Sequence, residues 1–523
     1  MDEKLGSNTQ LDSNIDKKIG KFLEIPLISL SIIVMVAFAI RINYVDFEIP
    51  IALDSLEYFV YAIDASRLGY LPETYSPSNN GWSIFLAGIF NLFEFDNALS
   101  YMQLQKIFSI LISSLIPIAV YFLGRQFFGK KYAILGSIFF AFDPRIILNS
   151  TIGIGDQLFI LLMTISLVVI IKNNKFVYFS FALTSIATMI RPEGIFLFAA
   201  ILIMFFIKNK KKYRVIPKII LAVIIFFIVL FPIMTYKTDV LGDDRIFGRA
   251  SETIDYHLQP SEVTNGKSGI KFILNGIENF PKYLGWTMIP NFILFVPFGA
   301  IILFREWKKT NLMIIIPIIS LAIPSFYVYS IPLLETRYIY FLFPLFCIIS
   351  LFSIKKIVSN RKYENIILMI IIGSIITAGL LFLDYKKIDY DSEKDSIGIS
   401  KFIFYNANGV NSYQHGKFLK SVEVIERWPT LPQMYIDGHI MAEVPKIPRD
   451  QTKSIEEYII ESKDKGLTHL VVNSDNTEDM YFQDLIHNEE KYTFLEKKYE
   501  EINEKNTIVK IFEINYNKLK IKR

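Results

Sequence analysis

Up to Asp384 the chain alternates between long apolar runs and short polar breaks, with runs at 25–42, 104–123, 132–148, 156–171, 175–190, 194–207, 215–234, 284–304, 311–330, 338–354 and 365–383. A helix needs about 20 apolar residues to cross hydrocarbon, so this pattern predicts about eleven transmembrane helices. The shorter stretch Asn80 to Phe90, with Trp82, is expected to lie in or dip into the membrane surface. After Asp384 charged residues take over. A helical pattern runs from Ser454 to Lys465, and strand-like runs cover His469 to Val472 and Thr507 to Phe512. The expected organisation is a leader over 1–24, a transmembrane domain over 25–384 with long loops at 43–103 and 235–283, and a small soluble α/β domain over 385–523.

Composition and charge narrow this further. With 523 residues and 52% hydrophobic content, the chain is too apolar for an ordinary soluble protein. A net charge of +4, spread as short clusters between apolar runs, argues against nucleic acid as a partner. The single cysteine, Cys347, lies in an apolar run, which excludes an internal disulfide and a Cys-based zinc site. The first run has no small-residue cleavage pattern and is expected to be retained as a span. Lys and Arg gather in alternate breaks, such as Lys208 to Arg214 and Arg305 to Lys309. By the positive-inside rule those breaks and the N-terminus face the cytoplasm, while 43–103, 149–155, the Arg191 turn, 235–283, the Glu335 to Arg337 turn and the C-terminal domain face outward. The chain is thus expected to be a multi-pass plasma-membrane protein with its soluble domain outside, in contact with membrane lipids.

Candidate chemistry gathers on the outward breaks. Asp54 follows the first span, where a membrane enzyme would hold a base, and Asp54-Ser55-Leu56-Glu57 also fits a capping box for an amphipathic helix running to about Arg67. The two roles are compatible. Asp64 and Glu73, in the same segment, are expected to be solvated. Arg191-Pro192-Glu193-Gly194 reads either as an ordinary turn and helix start or as a phosphate ligand, because guanidinium grips phosphate oxygens in bidentate fashion. Arg337, beside Tyr338, either pairs with Glu335 or meets a lipid phosphate. Asp156, after Gly153-Ile154-Gly155, is expected to cap a helix on the same outer side as Asp54. Asp239, Asp243, Asp244, Arg245, Asp255 and His257 crowd the 235–283 loop, but their spacing matches no calcium loop. No metalloprotease or serine-hydrolase motif occurs.

Taken in order, Asp54 to Tyr61 with Gly69, Gly153 to Leu158, Arg191 to Gly194 and Arg337-Tyr338 resemble the GT-C glycosyltransferases, in particular the branch of protein O-mannosyltransferases and the aminoarabinose transferase of lipid A. The resemblance covers roughly residues 25–350. It implies a polytopic α-helical GT-C transmembrane domain with an extracytoplasmic α/β domain, and a sugar donor on polyprenyl or dolichyl phosphate. It also implies an inverting transfer to a hydroxyl of a protein, lipid or glycan at the outer face. By the same likeness Asp54 takes the place of the family's first-loop acid, Asp156 that of the acid in the next outer loop and Arg337 that of the basic residue near the lipid phosphate; the expected catalytic set is Asp54 as base with Glu57 and Asp156 in support, and Arg191, Arg337 and Tyr338 are expected at the donor phosphate. Ser55 stands where the family often has Glu, which weakens any second carboxylate beside Asp54 and leaves a divalent metal, Mg or Mn, without a named ligand set. The competing reading is a transporter or flippase of lipid-linked sugars, which would place its ionisable groups nearer midplane.

Overall fold

The structure, a computed structural model, describes residues 25–73, 75, 77, 79–172, 175–210, 215–242, 268–331, 335–359, 361, 363–411, 417–428, 444–449, 452–474, 479–502 and 508–519. The chain divides into two compact units. One comprises Met1–Val45, Tyr75–Leu86 and Gln105–Lys387; the other comprises Asp46–Thr74, Ala87–Leu104 and Ile388–Arg523.

The first unit is helical. Among the described residues, six helices are long and apolar enough to cross a membrane: Pro26–Asn43, Ala98–Gly124, Val215–Val240, Lys309–Ser330, Thr336–Val358 and the apolar part of Glu364–Asn406. Shorter apolar helices include Phe179–Ile190 and Gly194–Asn209, which pack on each other, the first also on Val215–Leu241 and the second on Leu312–Ser330. Two expected spans are broken. The run 132–148 forms helices Lys130–Ala141 and Pro144–Thr151, bent by 51°. Pro144 has no N–H to continue the first helix, and Asp143 instead caps the second by accepting from the backbone of Arg145 at 3.0 Å and Ile146 at 3.2 Å. The run 284–304 likewise divides into Ser268–Thr287 and Phe295–Arg305, around a turn containing Pro290. The described parts of the expected 235–283 loop are helical too, because Val215–Leu241 and Ser268–Thr287 extend into it. Apolar content alone does not show these interruptions.

The Gly81–Phe90 stretch is a helix, but Trp82 is not an interfacial side chain. It is buried, and its Nε1 donates to the Gly153 carbonyl at 3.0 Å. Burying a large aromatic in this way contributes roughly 1.5–3 kcal/mol.

The second unit carries a three-stranded antiparallel sheet, β1 (His469–Asn473), β2 (Leu495–Ile502) and β3 (Ile508–Ile514), in the order β1-β3-β2. Strand period 2 explains its two cores. Leu470, Val472, Phe512 and Ile514 face one way, toward Ile455, Ile459 and Leu485 of the helices Ile455–Ser462 and Met480–His487. Val471, Val509 and Ile511 face the other, toward Ile399, Ile403 and Leu419 of Tyr390–Asn406 and Leu419–Glu426. β2 is an edge strand of charged residues, with Lys497 paired to Glu500 at 2.6 Å and Lys498 to Glu496 at 2.7 Å. Charge of this kind blunts an open edge.

Candidate active site

In the first unit, two turns and a 3₁₀ segment assemble a charged pocket. Gly153 adopts φ 77°, which glycine tolerates and most residues do not. Its carbonyl is held from two sides, by Trp82 Nε1 and by Gln105 Nε2 at 2.7 Å. The Gly155 carbonyl then accepts the first helical bond from Phe159 at 3.1 Å, so Asp156 is the first residue of Asp156–Lys172 rather than its cap. That shift leaves its carboxylate available for side-chain partners. Asn149 Nδ2 donates to Asp156 Oδ2 at 3.2 Å, Gln157 Nε2 orients Asn149 by donating to its Oδ1 at 2.6 Å, and Asp156 Oδ1 pairs with Arg191 Nη1.

The Arg191 turn joins Phe179–Ile190 to Gly194–Asn209. The second helix begins two residues later than the position of Pro192 suggested. Gly194 is required here, because a Cβ would lie 2.5 Å from Thr188 Oγ1 and 2.6 Å from Thr188 Cα. The resulting tight hairpin lets Glu193 face its neighbour: Arg191 Nη2 donates to Glu193 Oε1 at 2.8 Å and Nε donates to Oε2 at 3.2 Å. Arg191 is therefore clamped between two carboxylates whose side chains are each only 9% exposed. Burial pushes the Glu193 carboxyl up, but Arg191, helped by Arg337, outweighs it and leaves the group below its ordinary value.

Arg337 stands in the 3₁₀ segment Thr336–Leu342 and pairs with Glu335 at 2.6 Å. The Glu335 side chain is 58% exposed, so this pair is worth about 0–1 kcal/mol, whereas breaking a buried, hydrogen-bonded pair such as Arg191–Asp156 costs about 3–5 kcal/mol. The ring of Tyr338 serves both arginines, with guanidinium carbons 5.6 Å (Arg191) and 5.3 Å (Arg337) from its centroid. Asp156, Arg191 and Arg337 line one small pocket with Phe159, Ile160, Tyr340 and Phe341. The two guanidiniums thus differ: Arg191 is held by two buried carboxylates, and Arg337 by one that faces solvent.

Asp54 and Glu57 belong to the second unit. The capping box expected there does not form. Leu53 occupies the N-cap position at φ 55°, ψ −132°, no side chain caps the helix, and Asp54 is the first residue of Asp54–Leu68. The Leu53 carbonyl accepts from Leu56 at 3.0 Å and Glu57 at 3.2 Å, so the turn itself starts the helix. Among the described residues Leu53 is the one non-glycine with positive φ, a conformation that costs roughly 1–3 kcal/mol. Asp54 is partly exposed and Glu57 exposed. Asp64, expected in solvent, is fully buried on the inner face of this helix, while Glu73 is exposed.

Several contributors escaped the sequence reading. Asn149 and Gln157 were legible only as polar residues close to Asp156 in the chain. Arg145, whose Nη2 donates to the Trp286 carbonyl at 2.7 Å, and the fully buried Arg41, whose Nε donates to Ser113 Oγ at 3.0 Å, flank Asp143 in the break of the bent helix pair. An Asp-Pro step inside an apolar run was the available signal. Asp239 lies in the Val215–Leu241 helix, while Asp243, Asp244, Arg245, Asp255 and His257 fall outside the described residues. Among the described residues no three His, Cys, Asp or Glu side chains form a metal-holding group, and Asp156 and Glu193 are committed to Arg191.

Comparison with known structures places this architecture. ArnT from Cupriavidus metallidurans, solved with undecaprenyl phosphate, superposes with a TM-score of 0.54 at 12% identity, covering 94% of this chain and 99% of that one. The fold is that of the GT-C membrane glycosyltransferases. The oligosaccharyltransferase of Archaeoglobus fulgidus, solved with Zn and sulfate, shares this GT-C fold at a TM-score of 0.53 and 11% identity, over 85% of this chain and 67% of that one. The oligosaccharyltransferase AglB, also from Archaeoglobus fulgidus, solved with an inhibitory peptide and a dolichol-phosphate, gives a TM-score of 0.50 at 10% identity over 94% of this chain and 75% of that one. Residues 83–236 match the family model of dolichyl-phosphate-mannose-protein mannosyltransferase, a stretch of the GT-C domain that includes Asp156, Arg191 and Glu193 but neither Asp54 nor Arg337. No curated protein matches the chain in sequence.

Proposed function

We propose that this protein is a membrane glycosyltransferase that moves a sugar from a polyprenyl- or dolichyl-phosphate donor to a hydroxyl acceptor on a protein, lipid or glycan. The observation that carries this is the pocket in which Arg337, loosely paired, stands beside Arg191, firmly clamped, with Tyr338 under both. The GT-C fold and the lipid phosphates bound by ArnT and AglB support it.

In the proposed reaction the acceptor oxygen attacks the anomeric carbon and the bond from that carbon to the phosphate oxygen breaks. The electron pair leaves with the lipid phosphate, and the acceptor proton passes to Asp54. One displacement inverts the anomeric centre. Charge grows on the leaving phosphate, so a guanidinium that exchanges a solvent-facing carboxylate for that phosphate stabilises the transition state more than the ground state. Arg337 takes this role, and Arg191 holds the pocket and the Tyr338 ring. A positioned carboxylate base typically supplies about 10²–10⁴ in rate. Glu57 assists on the same helix face. The pocket and the soluble domain face the exterior of the plasma membrane, with the N-terminus cytoplasmic, following the positive loops.

The test is transfer of radiolabel from dolichyl-phosphate mannose and undecaprenyl-phosphate sugars in membranes containing the protein. Label should appear in an acceptor fraction with inverted configuration, and Arg337→Ala should abolish it. Equal transfer by membranes lacking the protein, or transport of the intact lipid-linked sugar without bond cleavage, would contradict the proposal.

A further inference from the structure

The Leu53 turn raises a physical question: what keeps a leucine at φ 55°, ψ −132° when its side chain is 72% exposed and packing against its neighbours cannot compensate? Within the second unit, one contact stands out. Ser421, fully buried on the Leu419–Glu426 helix, donates its hydroxyl to the Ile51 carbonyl at 2.6 Å, two residues before Leu53 and three before Asp54. A buried carbonyl gains a partner only while the chain follows this path, so the bond selects the strained turn over relaxed alternatives.

Other contacts extend the same grip. Seven residues after Ser421, the Trp428 ring lies 4.0 Å beneath the Arg67 guanidinium and 5.5 Å from the Tyr101 ring. Ser421 thus meets the chain before the start of Asp54–Leu68, and Trp428 meets its last turn. Ahead of the turn, Gln103 Nε2 donates to the Phe47 carbonyl at 3.0 Å, and Lys394 bridges Asp46 at 3.1 Å and Glu48 at 3.2 Å. The stretch 46–54 is therefore tied down by residues that lie more than three hundred positions later in the chain as well as by near ones.

We infer that Ser421 is a positioning residue: its bond to Ile51 holds the strained Leu53 turn and so fixes where the Asp54 carboxylate stands. The soluble domain then contributes to catalysis by aiming the base. This rests on the proposed role of Asp54, and its test is arranged to separate the two.

The full-length protein in detergent is compared as wild type, Ser421→Ala, Ser421→Thr and Ser421→Cys by amide hydrogen exchange and by turnover of dolichyl-phosphate mannose. In Ser421→Ala, exchange at Leu56 and Glu57, whose amides bond to the Leu53 carbonyl, should rise about 5- to 10-fold, while the Tyr390–Asn406 helix stays unchanged. Turnover number should fall about 10- to 100-fold with donor KM within about twofold, because small misplacement of a catalytic group costs rate rather than binding. Ser421→Thr should restore both, and Ser421→Cys, a weaker donor, should fall between. Added to Asp54→Asn, Ser421→Ala should cost nothing further. Unchanged exchange at Leu56 and Glu57 in both Ser421→Ala and Ser421→Cys would overturn the inference, as would faster exchange with turnover per folded molecule intact. If Asp54→Asn itself keeps wild-type turnover, the base assignment falls, whereas the exchange result still decides whether Ser421 holds the turn.

Discussion

Asp54 and Asp156 each open a helix, and each stands just past a backbone turn with a positive φ angle, yet the two carboxylates do different things. The turn before Asp156 is built from glycines, is relaxed, and delivers the carboxylate into a buried pair with Arg191 and a hydrogen bond from Asn149. The turn before Asp54 is a leucine in a conformation that suits glycine, and the carboxylate it presents is partly exposed. A carboxylate locked into a buried pair shapes a pocket. One presented by a strained turn is, on the proposed mechanism, the group that takes the acceptor proton. On the function proposed above, the expected catalytic set divides: Asp156 takes a structural part and Asp54 the part of the base.

That division can be broken or sharpened experimentally. The largest stability effect is expected for Arg191→Met, which leaves Asp156 and Glu193 buried without their shared cation. Unfolding of the purified protein should become easier by about 3–5 kcal/mol, and a loss below about 1 kcal/mol would mean Arg191 is not a clamp. Next in size, Arg337→Ala should weaken binding of a polyprenyl monophosphate about 10- to 100-fold, read by isothermal titration, because a hydrogen bond to a charged group is worth about 1.5–3 kcal/mol. Glu335→Gln removes the exchangeable partner of Arg337 and should tighten the same binding by about fivefold or less.

The smallest effect tests pH linkage in the second unit. Burial, with the nearby Glu501, raises the Asp395 carboxyl to about 6. A raised acid contributes stability fully below its ordinary value and loses it as pH rises through the folded value. Asp395→Asn should therefore raise the thermal midpoint above pH 7 and match wild type near pH 4. Glu193 has the opposite sign: its carboxyl is held below the ordinary value, so its contribution is present at neutral pH and lost only as pH falls below that value.

Much of this architecture was legible because it follows from periodicity. Apolar runs gave most of the long helices. Short apolar, β-branched runs gave β1 and β3, which are buried on both faces. β2 was not legible, because Leu495–Ile502 carries the charges of an edge strand and little apolar signal. The breaks at Asp143-Pro144 and around Pro290 were hidden inside hydropathy, which averages over single prolines. At the site, Asp156, Arg191, Arg337 and Tyr338 could be named from residue type and position, and the structure brings these four together. Which arginine is clamped could not be read, since it depends on Glu193 turning inward through the hairpin that Gly194 permits. Asp64 failed for the opposite reason: a charged residue in a polar-looking segment suggested solvent, but it lies on the helix face that packs inward.

Turnover per folded molecule, measured side by side for Asp54→Asn and Asp156→Asn with a polyprenyl-phosphate sugar, tests the division between the two carboxylates most directly. Asp54→Asn should lose about 10²- to 10⁴-fold in turnover number with an unchanged thermal midpoint. Asp156→Asn should lower the thermal midpoint while the molecules that remain folded turn over within about tenfold of wild type. The reverse pattern, with Asp54→Asn active and Asp156→Asn folded but inert, would contradict it.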